Sequence, residues 1–105
     1  MLEFPPFSRI ARLVFRSANS KSANLASNDA HKILSEIARK EKLNVEILGP
    51  GECPIFKISK NYRYQILLRS KNVKALQHLS KTLLFGYTKA QDVYIECDID
   101  PVHLL

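Results

Sequence analysis

Arg12, Arg63 and Arg69 fall at alternate positions of two segments that read as β-strands, and Tyr94 falls on a third. If those strands lie side by side with Leu13, Tyr64 and Ile95 facing inward, the three guanidinium groups and the phenol share the opposite face, with Gln65 among them. Guanidinium groups bind phosphate oxygens in pairs, and an aromatic ring beside them can stack a base. Lys57 and Lys60, on the hairpin that leads to Arg63, add two cations. Arg12, Lys57, Lys60, Arg63, Arg69 and Tyr94 are therefore the candidate nucleic-acid-binding set. The same face could instead pack on another part of a larger protein, with Arg63 in a structural ion pair. Tyr62 and Tyr64 alternate with Ile66 and Leu68 on the inner side, and read as packing residues whose hydroxyls find a partner at the rim.

A second charged surface lies on a predicted helix, where Lys71, Lys74, Gln77, His78 and Lys81 sit off the apolar stripe. A cationic helix face can receive an acidic peptide, although such faces are ordinarily just solvated. Other chemistry finds no support. The G-x-x-x-x-G-K-[ST] loop that a nucleotide-driven motor needs is absent. His31, His78 and His103 are scattered, none in a nucleophile setting. Asp98 and Asp100 share one side of a strand, but no third oxygen ligand accompanies them, which favours a structural role at the strand end. Cys53 and Cys97 form no metal or redox spacing and read as buried free thiols.

With 105 residues, 46% of them hydrophobic, the chain makes one compact domain with a modest core. Its 16 Lys and Arg against 10 Asp and Glu leave a formal charge of +6, compatible with nucleic acid or an acidic protein segment. No run of about 18 apolar residues and no secretory leader pattern appears, so a soluble, cytoplasmic protein is expected.

The elements that must position these residues follow from periodicity. Arg9 to Phe15 alternates as a half-buried strand, approached through an extended lead-in over residues 1–8 that Pro5 and Pro6 enforce. Ser17 to Ser27 reads as a connection and helix start, with Ser27 or Asn28 as cap and Asp29 in the first turn. The helix then carries Ala30, Ile33, Leu34, Ile37 and Ala38 at helical spacing and ends near Lys42. Val45 to Leu48 is a short apolar run, separated by Gly49-Pro50-Gly51 from a strand at Ile55 to Ile58. Lys60-Asn61 reads as a hairpin turn with Asn61 in the left-handed role, and Tyr62 to Arg69 as the next strand. Asn72 caps a second helix, whose stripe is Val73, Leu76, Leu79 or Ser80, and Leu83, and Gly86 ends it. Asp92 to Ile99 alternates again. Strand, helix, strand, strand, helix, strand is the α+β order of a ferredoxin-like split β-α-β sandwich, an antiparallel sheet with two helices on one face.

Three segments carry a resemblance. Phe4-Pro5-Pro6-Phe7-Ser8-Arg9-Ile10-Ala11 opens the chain, Gly49-Pro50 to Gln65 contains Pro54-Ile55, Lys57, Ile58 and Tyr62-Arg63-Tyr64-Gln65, and Ile99-Asp100-Pro101 nearly closes it. Together they resemble the C-terminal domain of the bacterial primosomal helicase family PriA, across nearly all of the chain. Ser8 stands where the family has Gly, and Lys60-Asn61 where it commonly has Gly and a basic residue. The resemblance implies a non-catalytic domain of a replication restart helicase, contributing to recognition of branched or single-stranded DNA and to primosome assembly. It also implies that ATP, magnesium and zinc belong to parts of the parent ATP-dependent 3'-5' helicase outside this segment, and that this chain holds no cofactor. As partners it implies DNA, the remainder of the helicase, other primosome proteins and the acidic tail of the single-stranded DNA-binding protein. For that tail, Gln77 matches a family position, Val73 replaces an arginine, and Lys74 and Lys81 would supply charge. The competing reading is a free-standing RNA-binding or ribosome-associated module. An acylphosphatase-like enzyme on this fold would need a Gly-rich phosphate loop followed by arginine, which is missing.

Overall fold

The computed structural model describes residues 8–88 and 90–100. The lead-in over residues 1–7, Pro101 and His103 lie outside these residues. Six elements follow in order: β1 (Arg9–Ser17), α1 (Ser20–Lys40), β2 (Glu46–Ile58), β3 (Asn61–Ser70), α2 (Val73–Gly86) and β4 (Tyr94–Ile99). The sheet order is β2-β3-β1-β4, and every neighbouring pair is antiparallel. This is the split β-α-β sandwich that the alternation and helical stripes predict.

Register decides which residues meet the helices. Ala11 pairs with Leu68, Leu13 with Ile66 and Phe15 with Tyr64, while across the other edge of β1 Leu13 meets Cys97 and Phe15 meets Ile95. These positions form one side of the sheet. Against it pack Ala26, Ala30 and Leu34 from α1 and Leu76, Leu79 and Leu83 from α2, with Val93 closing the core. Burying each large side chain is worth about 1.5–3 kcal/mol. The helices run antiparallel. Near one end the Tyr87 hydroxyl donates to Asp29 Oδ2 at 3.3 Å, and further along His78 Nε2 lies 2.8 Å from Glu41 Oε1. Burial and then the Asp29 carboxylate raise the Tyr87 phenol above its ordinary value, which keeps it a donor.

Both helices start on the same short device. Ser17 and Ser70 end β1 and β3, and each hydroxyl accepts from the backbone N–H two residues on, at Asn19 and Asn72. Each asparagine oxygen then accepts from the two backbone N–H groups of its first turn, satisfying donors that a helix start otherwise leaves open. The start of α1 thus corrects the expected cap at Ser27 or Asn28. Ser27 is buried mid-helix with its hydroxyl on Asn24 O, and Asp29 lies well beyond the first turn. The polar run conceals Ala23 and Ala26, whose small side chains extend the stripe and let the helix approach the sheet.

β2 is likewise one strand where two were expected. Its pairing with β3 slips between Leu48 and Gly51 and again between Glu52 and Lys57, so bulges absorb the Gly-Pro-Gly break without ending the strand. Gly49 has φ 98°, and a Cβ there would meet the Gln65 carbonyl oxygen at 2.9 Å. Gly49→Ala is expected to cost about 2 kcal/mol or more, from the left-handed backbone and the clash together. A shift of the urea midpoint measures it. The hairpin turn is Ser59-Lys60, with φ of 50° and 67°, and Asn61 already pairs with Ile58 as the first residue of β3. Two left-handed residues match the twist of the flanking strands, and the Asn61 amide donates to Ser59 O at 3.3 Å.

Asp100 takes the structural role expected of it. It bonds the Arg9 guanidinium, accepts from Ile10 N at 3.1 Å and returns its own N–H to Ile10 O. The Arg9 hydrogen bond, helped by the Ile10 N–H, holds this carboxyl below its usual range. A depressed folded pKa stabilises above the unfolded value, here near 3.8, and that stability is lost as pH falls through the folded pKa. Asp100→Asn is therefore expected to lower Tm slightly at pH 7 and to leave it unchanged well below pH 3.8, which thermal melts across pH would record.

Candidate nucleic-acid interface

On the face away from the helices, β1 presents Ile10, Arg12, Val14 and Arg16, and the register sets the rows. Arg16 stands opposite Arg63 on β3 and Tyr94 on β4, Val14 opposite Gln65 and Glu96, Arg12 opposite Leu67 and Asp98, and Ile10 opposite Arg69. The predicted residues do share this face, but they do not form one cluster. Arg63 and Arg69 are six residues apart along β3, about 20 Å at strand rise.

At the hairpin end, Arg63, Arg16 and Tyr94 form one row across three strands. The Arg16 guanidinium carbon lies 4.6 Å from the Tyr94 ring centroid, a cation–π stack, and its Nε donates to Glu96 Oε2 at 3.3 Å. Arg63 Nη1 donates to Ile55 O at 3.0 Å, so the bulged part of β2 steers it. Tyr94 is 52% exposed. Ile58, Ser59 and Asn61 from the turn join Arg16, Arg63 and Glu96 around an open concavity of about 340 Å³. Lys60 is exposed in the same turn. Arg16 was missing from the predicted set, although the alternation that selects Arg12 selects it equally.

The other predicted cations are placed differently. Arg12 is only 5% exposed, with Nε bonded to Gln65 Oε1 at 2.9 Å and Nη2 to Cys53 Sγ at 3.6 Å. Its guanidinium ties the bulged strand over the middle of the sheet, which is why Val14 and Cys53 are buried there too. Arg69, at the far end, holds Glu46 with both Nε and Nη2. The Lys57 ammonium lies 4.8 Å from the ring centroid of Tyr62, whose alternation belongs to the helix side. Tyr62 and Tyr64 both pack on Phe56, and the Tyr64 hydroxyl meets Ser20 Oγ at 3.4 Å, the rim partner expected for it.

On α2, Lys74, Gln77 and Lys81 are all exposed along one stripe, and that stripe continues one turn further to Phe85, 85% exposed. Phe85 was not predicted. Its spacing of four from Lys81 was the signal. Both cysteines are free thiols, Cys53 buried and Cys97 half-buried. Burial above all raises the Cys97 thiol, leaving it unreactive. Among the described residues no three of His, Cys, Asp and Glu come together as metal ligands, and no helix is long and apolar enough to cross a membrane.

Comparison with known proteins places this geometry in a family. The family model described as the primosomal protein N C-terminal domain matches residues 1–102. The chain is 36% identical over 102 residues to the replication restart protein PriA of Treponema pallidum, covering 97% of this chain and 15% of that protein. Against PriA of Borreliella burgdorferi the identity is 38% over 104 residues, covering 99% and 15%. The chain thus spans about 15% of the length of these relatives. Among solved structures, a de novo designed protein, Foldit4, matches with a TM-score of 0.60 at 12% identity, covering 91% of this chain and 99% of that one, a likeness of fold alone.

Proposed function

Because the chain belongs to the primosomal protein N C-terminal domain family, we propose that it is a non-catalytic module of a cytoplasmic replication restart helicase that binds branched or single-stranded DNA and docks partner proteins. The observation that carries the DNA reading is the row Arg63–Arg16–Tyr94 at the hairpin end, where two guanidinium groups and an exposed ring lie beside the cationic turn at Lys60. Arginines engage phosphates through charge-assisted bonds and Tyr94 offers a stacking platform, a pairing that suits strands whose bases are exposed. Lys57 can add charge from the other side of the hairpin. Arg69 would contribute at the far end only by leaving Glu46, and Arg12 acts through position, holding β2 against the sheet.

The docking reading rests on α2. Lys74, Gln77 and Lys81 form a cationic and polar stripe ending in exposed Phe85, which fits an acidic peptide with an apolar end. The acidic tail of the single-stranded DNA-binding protein has that chemistry. ATP, magnesium and zinc would be bound by the remainder of the parent helicase.

The test is fluorescence anisotropy with fork-shaped, single-stranded and duplex DNA across a salt series. Affinity should fall steeply as salt rises, because phosphate neutralisation releases counterions. Absence of binding to every DNA at low salt would leave α2 as the functional surface, and the acidic peptide would then be the ligand to titrate. Preference for structured RNA over every DNA would favour the free-standing RNA-binding reading.

A further inference from the structure

We propose that the concavity bounded by Arg16, Arg63, Glu96, Ser59, Asn61 and Ile58 receives one unstacked guanine base of a single strand. The proposal rests on the DNA-binding reading above and assigns that site a base preference. Its volume of about 340 Å³ falls at the small end of ligand clefts, which run from about 300 to 1,000 Å³.

The charges of its wall select the occupant. Arg16 and Arg63 stand directly opposite each other on β1 and β3, an arrangement of like charges that destabilises a strand pair. Such a local conflict marks a functional site. Glu96 is the carboxylate in this wall, and its bond to Arg16 is single and long at 3.3 Å. A surface built only for phosphates gains nothing from a carboxylate, which repels them. A carboxylate beside two guanidinium groups instead matches an edge with donors next to acceptors. Guanine has that edge: its N1–H and 2-amino group donate to a carboxylate, and its O6 and N7 accept from arginine. Thymine places carbonyl oxygens where Glu96 needs donors. Cytosine and adenine each offer Glu96 one amino group and give the arginines a poorer acceptor pair.

The remaining contacts are already in place. Arg16 has five N–H donors and its bond to Glu96 uses one, so it can accept the O6/N7 edge without leaving Tyr94. Ile58 offers an exposed apolar wall for the base plane, and the amide of Asn61 and the hydroxyl of Ser59 line the opening. The flanking phosphates would then fall toward Arg63 and Lys60.

The test measures anisotropy of labelled heptathymidylate and of the same strand with its central base changed to guanine, inosine, cytosine or adenine, against the unmodified chain and Glu96→Gln. Guanine is expected to bind about tenfold tighter than thymine. Inosine, which lacks the 2-amino group, should lose most of that gain. Glu96→Gln should remove most of the guanine preference while tightening the all-thymine strand. Equal affinity for every central base, with Glu96→Gln tightening all of them alike, overturns the base site and leaves DNA binding intact. No binding to any strand overturns both.

Discussion

Replacing Arg16 and Arg63 together by alanine is expected to weaken single-stranded DNA binding about 100-fold at low salt while leaving the melting temperature unchanged. Each guanidinium supplies a charge-assisted contact worth about 1.5–3 kcal/mol, and two such losses reach that factor. The salt slope should fall as well, by about 0.7 for each phosphate no longer neutralised. Stability is spared because the two side chains oppose each other across β1 and β3 with like charge, so removing both relieves as much as it costs. Arg69→Ala is the internal control. It lies about 20 Å away along β3 and is held by Glu46, so its removal should change affinity less than about threefold. If Arg69→Ala weakens binding as much as the double variant does, the interface is at the wrong end of the sheet.

How far the sequence discloses this arrangement depends on the kind of signal. Alternation alone carries the sheet: Leu13, Tyr64 and Ile95 do face the helices, and the arginines do face away. Alternation is a local property and survives tertiary packing. What it does not carry is the path of a neighbouring strand across the face. The bulges of β2 bring Cys53 over Arg12, and no pattern within β1 could separate buried Arg12 from half-exposed Arg16. Helix starts divide the same way. Asn72 was legible as a cap because the apolar stripe begins at once after it. Asn19 carries the same Ser-x-Asn device, but the stripe behind it is built from Ala23, Ala26 and Ser27, which read as a polar connection. The site divides again between strand and turn. Arg63 and Tyr94 come from clean strands, whereas the shift of the turn to Ser59-Lys60, which sets Asn61 at the mouth of the concavity, depends on a pairing register that only long-range contacts fix.

Two phenylalanines separate what holds the domain together from what it offers to partners. Phe15 is fully buried between Tyr64 and Ile95 at the centre of the sheet's inner face. Truncation to alanine removes the ring's burial and leaves a cavity beneath both helices, so Phe15→Ala is expected to cost about 3–5 kcal/mol. For a domain of this size that is a large part of the total stability, and the urea midpoint should fall by about 2 M with little change in slope. Phe85 makes the opposite case. At 85% exposure it gives the fold almost nothing, and Phe85→Ala should change stability by less than about 0.5 kcal/mol. The same substitution should weaken binding of an acidic peptide with an apolar end about tenfold, since an exposed aromatic at the end of a cationic stripe is the natural anchor for that end. Lys74→Ala and Lys81→Ala should weaken it in a salt-dependent way, whereas the loss from Phe85 should persist at high salt, because screening acts on charges and not on buried apolar area. A peptide that binds equally well without Phe85 would confine docking to the charges. A Phe85→Ala variant that unfolds would mean that the ring packs on something the fold itself requires.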